Sequence, residues 1–154
     1  MTVSLEHQHF FSVDVEEYFH ASVFERVAPP DSWTGRPSRV VASTERLLDL
    51  LARRGAVGTF FTVGWVAERH PDLVRRIAAA GHELAAHGWW HQRVTTQTPE
   101  AFRHEVRDTK RLLEDLTGAP VLGFRAPSFS IVEGLEWALD ILLEEGYAYD
   151  SSLF

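Results

Sequence analysis

The sequence predicts a single α/β domain, residues 1–154, built around a parallel sheet. Four times along the chain, apolar residues at helical spacing end at a glycine and are followed by a short apolar segment typical of a buried strand. Helices and strands that alternate in this way indicate βαβ units. Polar residues capable of chemistry follow the ends of several strands, and that edge of a parallel sheet is where ligands bind.

The helices are marked by apolar stripes with recognisable ends. Each stripe stops where a glycine can take up the left-handed conformation at little cost. The third stripe begins at Thr98-Pro99, a helix cap followed by a proline suited to the first turn. The terminating glycines are Gly55, Gly81, Gly118 and Gly146. The predicted strands are residues 10–15, 57–63, 83–86, 121–124 and 148–149.

Composition excludes several classes of function. Fifteen Lys and Arg residues against 22 Asp and Glu give a net charge of −7, which argues against nucleic acid or an anionic membrane as the main partner. The chain has no apolar run long enough for membrane insertion and no secretory signal at its start, so a cytoplasmic location is expected. Because there is no cysteine, any metal must be held by histidine and carboxylate.

The main indication of chemistry is a pair of histidines, His87 and His91, in the segment HGWWH after a predicted strand. They share a face if the segment coils through a helical turn. Asp14 and Glu16 share a strand face, and Glu16 with the two histidines forms a set that leaves coordination positions open, as catalytic metal sites do. Glu17 is an alternative ligand, but because side chains alternate along a strand, it is expected to point away from the face that Asp14 and Glu16 share. The alternative is that all these residues are solvated loop residues.

The second carboxylate, Asp14, is then free to act as a base. Arg125 follows an apolar strand at the same edge and is placed to pair with Asp14 as a carboxylate. Residues 16–37 are rich in aromatic residues and proline and are expected to wall a cleft, with Tyr18 and Trp89 as candidate substrate contacts. Three histidines around the first strand are expected at the surface or in support of the site: His7, His9 and His20.

Several segments taken in order resemble the NodB-type polysaccharide deacetylases of carbohydrate esterase family four. Within that family the chain is most similar to the subgroup associated with exosortase-linked exopolysaccharide loci. The resemblance covers nearly the whole chain, through the segments SVDVEEYF (12–19), GTFF (58–61), GHELAAHGWWH (81–91), GFRAPSFS (123–130) and GYAYDSS (146–152).

The resemblance implies a distorted parallel (β/α) barrel and hydrolysis of N-acetyl groups from a polysaccharide that contains N-acetylhexosamine. It makes Asp14 the general base that activates a water, and Arg125 the residue that orients this base. The ligands of a divalent metal, with zinc expected, are then Glu16, His87 and His91.

Two features depart from the common family pattern. Val15 separates the two acids, and the family's last motif, which supplies a general-acid histidine, would lie beyond Phe154. Asp150 falls near the motif whose acid supports that histidine. The barrel is therefore expected to be incomplete at its C-terminus. Three functions stay open: a polysaccharide deacetylase, an amidohydrolase acting on a small amide or imide, and an inactive fragment that binds metal or sugar without turnover.

Overall fold

A computed structural model describes residues 9–153, so the prediction for His7 lies outside the described residues. The sheet has five strands in the order β1-β2-β3-β4-β5, and every neighbouring pair is parallel. The strands are β1 (Ser12–Val15), β2 (Thr59–Thr62), β3 (Glu83–Ala86), β4 (Gly123–Phe124) and β5 (Tyr149–Asp150). All five predicted strands are present, and most are shorter than predicted.

Within residues 9–153, five α-helices connect and cover the strands. They are α1 (Val40–Arg54), α2 (Gly64–Arg69), α3 (Pro71–Ala79), α4 (Pro99–Thr117) and α5 (Trp137–Glu144). Two predicted C-terminal helix ends and one predicted N-terminal cap are confirmed. Gly55 and Gly118 end their helices with φ of 60° and 68°, and the Thr98 hydroxyl accepts a hydrogen bond from the N–H of Ala101 at 3.2 Å. The short helix α2 was not predicted.

The two faces of the sheet differ in character. Alternate residues of neighbouring strands, among them Val13, Phe60 and Leu84, lie in register and pack into the hydrophobic core under the helices. The residues between them, including Asp14 and Phe61, point to the opposite face, because side chains alternate along a strand. The candidate chemistry therefore lies on the sheet face that the helices do not cover.

The strand order matches the winding of a (β/α) barrel. In a barrel each strand lies beside the strand before it in the chain, whereas a doubly wound open sheet reverses its order at one point. Here the order is consecutive throughout the five strands. In the part of the chain that the structure describes, no helix combines the length and apolarity needed to cross a bilayer.

The long connection after β1 is compact and aromatic. It contains three short 3₁₀ turns, at Tyr18–His20, Ser22–Phe24 and Pro30–Gly35. Phe19 and Trp33 are buried in the core, and the indole N–H of Trp33 donates to the carbonyl of Ala28 at 2.8 Å. This segment packs beside the carboxyl ends of the strands and supplies one wall of the site.

Candidate metal centre and active site

Three predicted ligands converge at the carboxyl edge of the sheet. Glu16 follows β1, His87 follows β3, and His91 ends the loop after β3; one ligand atom from each lies within 4.8 Å of the other two. Nε2 of His91 is 2.8 Å from Oε2 of Glu16. This contact lacks hydrogen-bond geometry, so that buried carboxylate oxygen has no hydrogen-bond partner among the described residues. An unpartnered buried oxygen facing two imidazoles fits a bound cation.

His87 is held in the form that can bind a metal. Its Nδ1 lies 2.7 Å from the carbonyl oxygen of Arg125, and since a carbonyl only accepts, Nδ1 carries the proton and Nε2 keeps its lone pair. Burial lowers the pKa of His87, an effect that the nearby carboxylates Asp14 and Glu16 partly oppose. The ring is therefore neutral, and its free nitrogen faces the cluster.

Asp14 and Arg125 form the ion pair that the sequence predicts. Nη1 of Arg125 donates to Oδ1 of Asp14 at 2.7 Å, and Nη2 donates to the hydroxyls of Ser12 and Ser151, each at 2.9 Å. The guanidinium lies 3.9 Å from the centre of the Phe61 ring, which supports it from below. Oδ2 of Asp14 is turned to the three candidate ligands, 3.8 Å from Nε2 of His87.

The loop between the histidines is not a helical turn. Gly88 and His91 both have positive φ, 69° and 51°, so the rings converge through two left-handed residues instead of through helical spacing. Sequence reasoning missed the residue that supports this loop, Glu105 on α4. It is buried, and burial raises its pKa while the N–H groups of Trp90 and Trp89 oppose that rise.

The structural roles of Glu105 and Glu17 are both indicated by their positions in the sequence. Glu105 lies three residues after Phe102 and one before Val106, within the buried stripe of α4, and an acid on such a stripe has a structural partner. Glu17 points away from the cluster, as strand parity predicts. Its two carboxylate oxygens share the backbone N–H of Arg39, which donates to them at 3.1 and 3.0 Å at the start of α1.

His20 is buried, not at the surface. Only 3% of it is exposed, and its Nδ1 accepts the N–H of Glu17 at 3.2 Å. Its ring stacks 6.3 Å from that of His91. Burial is the main cause that lowers the pKa of His20 to about 3. His20 is therefore a neutral support beside the ligands, whereas His9 is exposed.

The three remaining candidates lie around the cluster. Tyr18 is 39% exposed and lines a cleft with Asp14 and Glu16. Trp89 is half-buried, and its ring packs against Gly64, where a Cβ would lie 2.7 Å from it. The carboxylate of Asp150 accepts from the N–H and the hydroxyl of Ser152, at 2.9 and 2.6 Å. Asp150 thus holds the turn after β5 and is not part of the cluster.

Fold and site together define an α/β protein with a two-histidine, one-carboxylate cluster at the carboxyl edge of a parallel sheet. The family model described as polysaccharide deacetylase matches residues 31–141. The chain belongs to the polysaccharide deacetylase family, which confirms the resemblance found in the sequence.

Individual relatives agree with this assignment. A chitooligosaccharide deacetylase of Rhizobium leguminosarum bv. trifolii is 40% identical over 70 residues, 46% of this chain and 33% of that protein. A peptidoglycan-N-acetylglucosamine deacetylase of Bacillus cereus is 32% identical over 98 residues, 63% of this chain and 36% of that protein.

A solved structure from Mycobacterium smegmatis, itself assigned to the polysaccharide deacetylases, superposes with a TM-score of 0.76. It is 29% identical and covers 94% of this chain and 50% of its own. Together with the strand order, this likeness confirms the predicted fold class. The chain spans about a third of the length of the two curated relatives.

Proposed function

We propose that this chain carries the metal centre and catalytic base of a deacetylase that removes N-acetyl groups from a polymer containing N-acetylhexosamine. The observation that carries the proposal is the orientation of Asp14. One of its oxygens is held by Arg125 at 2.7 Å, and the other faces the cluster of Glu16, His87 and His91. One oxygen held in place and the other free to take up a proton is the arrangement expected of a base beside a metal centre.

The donor set supports a divalent cation held by Glu16, His87 and His91. Two imidazoles and one carboxylate suit zinc and leave positions for water and substrate, as in catalytic sites. When bound, the cation would supply Lewis acidity, which would lower the pKa of a water and polarise a carbonyl. The hydrogen bond from His87 to the Arg125 carbonyl, 2.7 Å long, fixes the ring in its ligand form.

The protein's own part in hydrolysis follows from the contacts of Asp14. Its Oδ2 is free to accept a proton from a water placed between it and the cluster, because Oδ1 is already bonded to Arg125. Ser12 and Ser151 hold the guanidinium, so the carboxylate keeps one orientation while it takes up and returns the proton. The water oxygen forms a bond to the acetamide carbon, the C–N bond then breaks to give acetate and an amine, and the amine receives the proton that Asp14 took up.

The neighbouring cleft favours a sugar as the substrate. A cleft of about 370 Å³ lies beside His91 and is lined by Phe19, Trp33 and Trp90. The Trp33 and Trp90 rings are 6.0 Å apart, and 45% of Trp90 is exposed. Aromatic faces pack well against the apolar face of a pyranose ring. The named activities of the relatives, on chitooligosaccharide and on peptidoglycan N-acetylglucosamine, point to the same class of polymer.

The test of this function separates the base from the ligands. Zinc-loaded protein is incubated with N-acetylglucosamine oligomers and released acetate is measured, while zinc affinity is measured by competition with a chromophoric chelator. Asp14→Asn should leave zinc affinity within about threefold of wild type and reduce acetate release by at least about 10²-fold, a typical contribution of a positioned base. The matched control is Asp115→Asn, which changes an exposed acid on α4 and should alter neither quantity.

Two results would contradict the proposal. If Asp14→Asn lost zinc together with activity, Asp14 would be a ligand and not the base. If the variant kept its activity, another group would be the base. Hydrogen exchange with a chito-oligosaccharide tests the cleft separately, because amides of residues 16–37 should exchange more slowly when a sugar fills the cleft that this segment lines.

A further inference from the structure

The backbone of the loop that joins the two histidine ligands is anchored from one side by helix α2. The N–H of Gly64 donates to the carbonyl of Gly88 at 2.9 Å, and the N–H of Trp65 donates to the carbonyl of Trp89 at 3.1 Å. The first N–H groups of a helix have no partner inside it. Here they are satisfied by the ligand loop, so the loop carbonyls are fixed to the start of α2.

The other side of the loop is anchored by one carboxylate oxygen. Oε1 of Glu105 accepts the N–H of Trp89 at 2.8 Å and the N–H of Trp90 at 2.7 Å. Hydrogen bonds from N–H groups to a buried charged acceptor are short and about twice as strong as neutral ones. The two central amides of the loop therefore depend on Glu105.

The fit between Glu105 and the loop leaves little room. A Cβ at Gly88 would lie 3.2 Å from Oε1 of Glu105, and Gly88 has φ of 69°. His91, a residue with a side chain, also has positive φ, at 51°. A left-handed residue that is not glycine costs about 1–2 kcal/mol, so this backbone persists only while the surrounding contacts hold it.

We propose that Glu105 is the positioning residue that fixes the separation of His87 and His91 and thereby sets the affinity of the metal centre. The inference rests on the metal centre proposed above. Without the carboxylate, two loop amides lose their acceptor, and His91 relaxes out of its left-handed conformation. The ring of His91 then moves away from Oε2 of Glu16, which now lies 2.8 Å from its Nε2.

The experiment compares zinc affinity and folding stability in the same variants. Removing a residue that orients metal ligands typically weakens metal binding by about 10–100-fold. Glu105→Ala should show a loss of this size in the zinc Kd, measured by chelator competition well below its melting temperature. Glu105→Gln keeps one oxygen acceptor and should lose less than about tenfold. Glu100→Gln, an exposed change on the same helix, should match wild type.

A purely structural role for Glu105 gives a different pattern. In that case Glu105→Ala lowers the melting temperature, but the folded protein binds zinc as tightly as wild type, and the proposal is overturned. If Glu105→Ala does not fold, Gly88→Ala takes its place, since the added methyl crowds Oε1 at 3.2 Å. Wild-type zinc affinity in a folded Gly88→Ala variant overturns the proposal equally.

The failure of the proposed function looks different again. If the wild-type protein binds no zinc, the proposed metal centre is refuted, and this inference is refuted with it. If the wild-type protein binds zinc and Glu105→Ala binds it with the same affinity, only this inference is refuted.

Discussion

Acidification should unfold the metal-free protein partly through one histidine, His20. Its ring is enclosed by Trp33, Trp65 and Phe19, with centroid distances of 4.3, 5.2 and 5.0 Å. In the folded protein the pKa of His20 is lowered from 6.5 to about 3. Between these two pH values the unfolded chain binds a proton that the folded protein does not, so the free energy of unfolding falls as the pH falls.

The size of the effect follows from proton linkage. One proton bound only by the unfolded state changes the free energy of unfolding by about 1.4 kcal/mol per pH unit. With a pKa of 6.5 in the unfolded chain and about 3 in the folded protein, the loss from His20 between about pH 7.5 and about pH 5 is about 2 kcal/mol. The result hardly depends on the lower pKa, because pH 5 lies well above it.

The assay is urea unfolding at the two pH values in the presence of a chelator, for wild type and for His20→Asn. Asparagine keeps an acceptor for the N–H of Glu17 but does not titrate, and any cavity it leaves is present at both pH values. The wild type should lose about 2 kcal/mol more than His20→Asn on acidification. His104→Asn, an exposed change on α4, should behave as wild type. Equal acid sensitivity of wild type and His20→Asn would refute the reasoning.

Three further substitutions should lower the free energy of unfolding in urea at neutral pH. Glu17→Ala, which strips the buried acceptor from the start of α1, should cost about 2 kcal/mol; an unchanged midpoint would show that water replaces it. Tyr147→Phe removes the hydrogen bond, 2.7 Å long, that the buried hydroxyl donates to the carbonyl of Val106, and should cost about 1–2 kcal/mol, with little change in m-value. Thr98→Ala removes the cap of α4 and should cost about 1 kcal/mol, while Thr98→Ser should recover most of it.

The parts of the fold that local chemistry controls were predictable from the sequence. Gly55 and Gly118 end their helices because left-handed backbone is cheapest at glycine, and Thr98 caps α4 through its own hydroxyl. The positions of Asp14 near the end of β1 and of Arg125 directly after β4 were predictable because each follows an apolar run. The pairing of these two residues needed only the rule that parallel strands end at one edge.

The supports of the site depend on contacts between distant segments, which no local pattern records. Glu105 bonds to amides 15 and 16 residues away in sequence. His20 is buried by Trp33 and Trp65, and only the folded connection after β1 brings these together. Helix α2 was missed because Gly64 directly follows the predicted strand 57–63 and its two turns are too short to show a period.

The consecutive order of the strands has a consequence for how the site assembles during synthesis. Each strand pairs with the one made just before it, so the sheet can grow as the chain emerges from the ribosome. All three candidate ligands are present once residue His91 has been made. The anchor Glu105 follows next, and the base acquires its partner last, because Arg125 lies 111 residues after Asp14. A nascent chain can therefore bring the three candidate ligands together before it forms the ion pair between Asp14 and Arg125.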